Sequence, residues 1–238
     1  MNQQIKRSER MVMAAILGLL IFLLPAFGHA QEMGQEQRQG QVKEERIIAL
    51  RKVAVLPFLV VRPDVPAQRM VKGLYGTYFF RTGDLPSRAG SEVTTIFQRR
   101  LNAVGKCELI PLDQAQTAAE GVDPQAFQKD PIGTAVQIGR ELGVDAVVIG
   151  GVYHYEQRQG SALGVISPAS AAFDAHLIQV ADLKVLWSGR FDETQHSLME
   201  NLLTIGSFVK GGAQWVTVEK WVEIGIERML SSFPTLNR

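Results

Sequence analysis

The chain has 238 residues, 46% of them hydrophobic and 21% charged, a globular balance with length for one sizeable core. A formal net charge of +1 offers neither the basic field that nucleic acid needs nor an acidic field for cationic partners, which leaves recognition by shape and apolar contact. The one cysteine, Cys107, excludes an internal disulfide. Set between Lys106 and Glu108 in a short apolar run, it reads as a buried, inert thiol.

Lys6, Arg7 and Arg10 precede an uninterrupted apolar run over residues 11–24, and Pro25, Ala26, Phe27, Gly28, His29 and Ala30 follow it. Positive, then apolar, then small is the order of a secretory signal peptide: the charges stay on the cytoplasmic side, the apolar run enters the membrane, and small side chains fit the peptidase pocket. Residues 1–30 are expected to be a signal peptide cleaved after Ala30, which makes the chain an exported periplasmic or cell-envelope protein. If the segment is kept, its extension through Phe27 approaches membrane length and gives the only membrane contact expected. No cysteine follows the apolar run to accept a lipid. Residues 31–47 hold Gln, Glu, Arg, Lys and Gly with few apolar residues, the composition of a flexible polar linker. A single α/β domain is expected over 48–234.

Within that domain, KVAVLPF at 52–58 has the valine-rich continuity of a strand buried on both faces. Ser91 is predicted to N-cap a helix whose apolar face is Val93, Ile96, Phe97, Leu101 and Val104, with Gly105 as its stop. Residues 107–110 are the second strand and 113–120 a short helix. Asp130 caps a longer helix with Pro131 at its first position, and Gly143 lies past its end. The third strand, AVVIGGVYHY at 146–155, completes right-handed β-α-β units. Strands at 171–180 and 185–192 then flank a tight turn at Asp182 and Leu183. A closing helix over 213–230 places Trp215, Val218, Val222, Ile226 and Met229 on one face. The fold class expected is α/β: a mixed sheet of about five strands, parallel units followed by an antiparallel hairpin meander, covered by helices that include a C-terminal amphipathic one.

VAVLPF at 53–58, the helix from Ser91 ending in GKCELIP, ELGVDAVVIGGV at 141–152 and VADLKVLWSG at 180–189 together resemble a superfamily of bacterial envelope proteins. It includes the curli-secretion channel protein, the outer-membrane activators of penicillin-binding proteins and the N-terminal domain of the Tol translocation protein. The resemblance implies the architecture above and a non-enzymatic role. Two departures stand out. The 157–171 loop is too short for the membrane-threading hairpins of the channel branch, and the lipid-anchor cysteine of the channel and activator branches is absent.

No constellation of chemistry-bearing residues points to catalysis. His154 and His176 lie on strands where a register joining them is possible, but alternation sends the neighbouring acids to opposite faces and no four-ligand set can be written. Gly150 and Gly151 sit inside a strand without a phosphate-loop pattern and suit a bulge or close packing. Ser197 and Ser207 lack a G-x-S-x-G setting. The distinctive segment is the 62–90 insertion, which carries Tyr75, Tyr78, Phe79 and Phe80 where such connections usually need about two to six residues. Those rings are candidates for a partner surface, or for a satellite cluster folded over the sheet.

The leading expectation is a non-enzymatic periplasmic or envelope protein that mediates protein–protein interaction, assembly or secretion support. Its partner is an envelope protein, or a second copy in a homo-oligomer; no nucleic acid and no cofactor are expected. One alternative is an envelope-acting hydrolase or metal-dependent enzyme. Another is a structural subunit of an envelope oligomer, with the 206–212 segment joining two helices at a subunit contact.

Overall fold

Valine-rich β1 (Lys52–Val55) is buried beyond its first residue and runs parallel to β5 (Glu108–Leu109) on one side and to β6 (Ala146–Glu156) on the other. A strand walled in on both sides and both faces needs an unbroken apolar run, which is why its sequence does not alternate. The computed structural model describes residues 50–65, 67–161, 165–196 and 215–236. The expected signal peptide, its cleavage point, the linker, Ser197, Ser207 and the 206–212 segment lie outside the described residues.

After a bend at Pro57 the chain resumes as β2 (Leu59–Val60), parallel to a later part of β6. β9 (Ser170–Gln179) and β10 (Val185–Thr194) add on antiparallel, giving the order β10-β9-β6-β1-β5 with β2 beside β6. The mixed sheet expected from the sequence is thus present. At the β9–β10 turn Leu183 takes a left-handed φ of 60°, and the Asp182 carboxylate accepts the Lys184 N–H at 3.2 Å. A further pair, β7 (Gln159–Gly160) with β8 (Val165–Ser167), lies in the loop between β6 and β9.

Helix α1 (Ala89–Val104) starts before the predicted cap: Arg88 is the N-cap, and Ser91 lies in the first turn with its hydroxyl donating to Arg88 O at 2.9 Å. Packing sets that start, because Gly90 lies against the Phe58 carbonyl, only 2.5 Å from where a Cβ would be. Gly105 ends the helix in the left-handed region, φ 65°, as its type requires. α2 (Leu112–Glu120) is followed by α3 (Pro124–Lys129), which the sequence reading did not include and which Asp123 caps by accepting the Gln125 N–H. α4 (Pro131–Glu141) is capped as predicted, with Asp130 accepting the Gly133 N–H at 2.9 Å. The last helix, α5 (Val218–Leu230), is shorter than expected: Thr217 is its N-cap and Trp215 precedes it, whereas Val218, Val222, Ile226 and Met229 are buried as the periodicity demands.

α1 and α5 pack together over one face of the sheet, where Gly225 admits the rings of Phe173 and Phe191. On the other face α2 and α4 bury Ala54, Leu56, Val147, Ile149 and Ile178. No described helix covers the rest of that second face, above the C-terminal half of β6. The 62–90 insertion does so, as an antiparallel hairpin of β3 (Met70–Lys72) and β4 (Phe79–Arg81). Among the described residues no helix is long and apolar enough to cross a membrane.

Candidate functional site

The hairpin separates Phe80 from the other three predicted rings: Phe79 and Phe80 alternate along β4, and Tyr75 and Tyr78 lie in the connection before it. Phe80 points inward: it is 2% exposed and stacks on Tyr153 at 4.0 Å between centroids and 3° between planes. Its place in a partner surface is therefore corrected, since a ring closed between β4 and β6 has no face left for a partner. Phe79 at 59%, Tyr78 at 52% and Tyr75 at 42% remain exposed. Tyr78 is backed by the Arg190 guanidinium 3.9 Å from its ring centre, and Tyr75 meets the His176 ring edge-on at 5.5 Å.

Buried polar groups hold this hairpin to the sheet. Asp174, 2% exposed, accepts the Gly151 N–H at 2.9 Å and the Tyr153 hydroxyl at 2.7 Å. The same Tyr153 oxygen accepts the Leu74 N–H at 2.9 Å, so one phenol links the hairpin turn to the central strands. Burial first, and then the Asp174 charge, hold the Tyr153 phenol protonated far above a tyrosine's ordinary range. His154 Nδ1 lies 3.0 Å from the Arg81 carbonyl and Nε2 lies 2.9 Å from Ser170 Oγ. A carbonyl can only accept, so Nδ1 carries a proton; in the neutral ring Nε2 is then the acceptor for the Ser170 hydroxyl. Tyr155 N–H donates to Asp84 O at 2.7 Å where the hairpin leaves the sheet.

The histidines do not meet as the sequence allowed. His176 pairs with Ile149 and His154 with Ala172, so the β6–β9 register sets the two histidines on separate rungs of the ladder. The acids also fall differently: Asp174 and His176 share parity on β9 and face the same side, 3.2 Å apart. No hydrogen bond joins them, and His176 Nε2 is a buried nitrogen without a donor–acceptor partner; its Nδ1 lies 2.9 Å from Ser188 Oγ on β10. Among the described residues no group of three His, Cys, Asp or Glu is placed to hold a metal ion. Gly150 serves close packing: a Cβ there would stand 2.2 Å from Phe58 Cε1 and 2.6 Å from the Asp174 carbonyl. Cys107 is buried.

Beside the hairpin, on the side of α2 and α3, opens a groove of about 1050 Å³ lined by Leu59, Val61, Val71, Leu74, Val122 and Phe127, with Arg62 and Lys72 also in its wall. Sequence reasoning missed Asp174, Tyr153 and Arg190 as the groups that position the exposed rings. The signal available was a charged residue inside an otherwise apolar strand, FDAHL at 173–177.

No protein-family model matches this chain and no curated protein matches it. Solved structures do. PelC from Paraburkholderia phytofirmans, described as a dodecamer, is 15% identical with a TM-score of 0.43, covering 80% of this chain and 92% of that one. Lipoprotein GNA1162 from Neisseria meningitidis is 17% identical with a TM-score of 0.41, covering 67% and 91%. The C-terminal domain of LpoB from Salmonella enterica is 18% identical with a TM-score of 0.37, covering 63% and 86%. Likeness at this level carries no argument about activity. What the chain can do is read from its own residues.

Proposed function

We propose that this chain is a non-enzymatic, exported protein of the bacterial cell envelope that binds a protein partner through the outer face of the β3–β4 hairpin. Supporting export is the order of charge, apolar run and small residues up to Ala30; supporting an envelope role is the resemblance of its strand and helix motifs to the superfamily that holds the penicillin-binding-protein activators. The observation that carries the binding role is the exposure of Tyr75, Tyr78 and Phe79 on a hairpin whose backbone is fixed by buried polar bonds. Rigid aromatic rings that lose little entropy on contact are the side chains that anchor interfaces.

The test is to place a photo-crosslinking residue at Phe79 in the full chain, irradiate envelope-expressing cells, and repeat with a Tyr78→Ser/Phe79→Ser variant used as competitor. A discrete cross-linked protein that the parent chain displaces and the variant does not supports the reading; no cross-link, or displacement by both, sinks it.

The contact series Ser188–His176–Asp174 favours one second reading, a serine hydrolase. Its geometry is incomplete, since His176 and Asp174 are not hydrogen-bonded and the Tyr75 ring lies against the imidazole, whereas a triad requires the base to be held by its acid. Labelling of Ser188 by a fluorophosphonate probe would establish that reading in place of the first.

A further inference from the structure

Among the described residues β10 pairs only with β9, so a strand of ten residues forms one border of the sheet. The bonds at its two ends show which backbone groups are open. Gln195 N–H donates to Ala169 O at 2.9 Å and Gln179 N–H to Lys184 O at 2.8 Å. Odd-numbered residues of β10 beyond its bulge therefore exchange bonds with β9, and Ser188, Arg190, Asp192 and Thr194 turn their N–H and C=O groups outward. Long open edges are templates for another strand unless they are blocked.

We infer that this edge pairs with the same edge of a second copy, antiparallel about a two-fold axis through Phe191. In that register Arg190 stands opposite Asp192 of the second copy and Asp192 opposite its Arg190. Ser188 then meets Thr194 and Gly189 meets Glu193. Moving the axis to Arg190 or to Asp192 would set like charges against each other on the axis, which cross-strand pairing disfavours. The isolated chain leaves both groups incomplete. Asp192 accepts the Arg81 N–H through Oδ2 at 3.3 Å, but its Oδ1 is buried without a hydrogen-bond donor, its nearest cation being Arg81 Nε at 3.7 Å. Arg190 lies over the Tyr78 ring and meets no carboxylate among the described residues. A slot of about 330 Å³ beside this edge, lined by Tyr78, Phe79, Arg190 and Asp192, gives side chains of the second copy a place to enter. A two-fold contact of this kind is isologous, so one surface serves both subunits. The inference uses the strand edge and does not depend on what the aromatic hairpin binds.

The experiment is sedimentation equilibrium of the purified full chain over a wide concentration range, with Arg190→Asp and Asp192→Arg variants alone and mixed. The parent should sediment as a dimer and each variant as a monomer, because each sets like charges opposite one another. An equimolar mixture should regain the dimer mass, since one chain then presents two acids to two bases. Amide exchange keeps the test decisive if a variant misfolds: in the parent, the Arg190 and Asp192 amides should be protected at high concentration and exposed on dilution. A parent monomeric throughout, a dimeric Arg190→Asp chain, or amides whose protection ignores dilution would each overturn the inference.

Discussion

Replacing Phe80 and Phe79 by alanine, one at a time, tests the division of the hairpin directly. Phe80 is closed between β4 and β6, stacked on Tyr153 at 4.0 Å and 2% exposed, and its ring also fills the space beside Gly73, 2.9 Å from where a Cβ would be. Loss of such a ring removes its buried area and leaves a cavity that a sheet on one side and a hairpin on the other cannot collapse, so Phe80→Ala should cost about 3–5 kcal/mol. With a urea slope of about 2 kcal/mol per molar, the unfolding midpoint falls by about 1.5–2.5 M. Phe79 is 59% exposed, and Phe79→Ala should change stability by no more than about 0.5 kcal/mol, a midpoint shift under about 0.3 M. Urea titrations followed by the fluorescence of the buried Trp187 and Trp221 give both numbers. Equal losses for the two variants, or a loss below about 1 kcal/mol for Phe80→Ala, would refute the inward and outward assignment.

Burial first, then the charge of Asp174 at Tyr153 and the hydrogen bond to Glu92 at Tyr155, raise both phenol pKa values above the ordinary 10.0. The unfolded chain loses these protons above about pH 10 while the folded chain keeps them, so the tyrosines' contribution to stability should be constant below that pH and decline above it; urea midpoints from pH 8.5 to 11.5 check the sign. Tyr153→Phe leaves the Leu74 N–H without its acceptor and Asp174 short of a donor, and should cost about 1–3 kcal/mol in the same titration. Burial raises the Glu223 carboxyl, but the Lys220 hydrogen bond and charge together with Arg100 outweigh it and leave the group below its ordinary 4.5. Its contribution is present above about pH 4.5 and lost as pH falls through the lower folded value, so Glu223→Gln should flatten the acid decline of the urea midpoint between pH 5 and 3. Gly150→Ala drives a methyl into Phe58 and the Asp174 carbonyl and should lower stability by about 1–3 kcal/mol, read as a drop in melting temperature.

Periodicity and chain punctuation determined the architecture. The continuous apolar runs of β1 and β6, the Asp130 cap, the left-handed stop at Gly105 and the turn at Leu183 are local matters, each set by a few adjacent side chains and the backbone they permit. The start of α1 was not local, because Gly90 had to seat against the Phe58 carbonyl from another element. Nor was the hairpin. The sequence marks 62–90 as rich in rings, but which ring is core depends on alternation along β4 and on where that strand lies over Tyr153. The β6–β9 register, which keeps His154 and His176 apart, and the buried Asp174 that ties Gly151, Tyr153 and the hairpin turn together are set by residues from distant parts of the chain. The self-complementarity of β10 about Phe191 was written in the sequence all along, but it bears on pairing only because the sheet order among the described residues leaves that strand on the border with its even-numbered amides outward. Contacts between residues far apart in the chain are chosen by the packing of whole faces, and no window of neighbouring residues contains that choice.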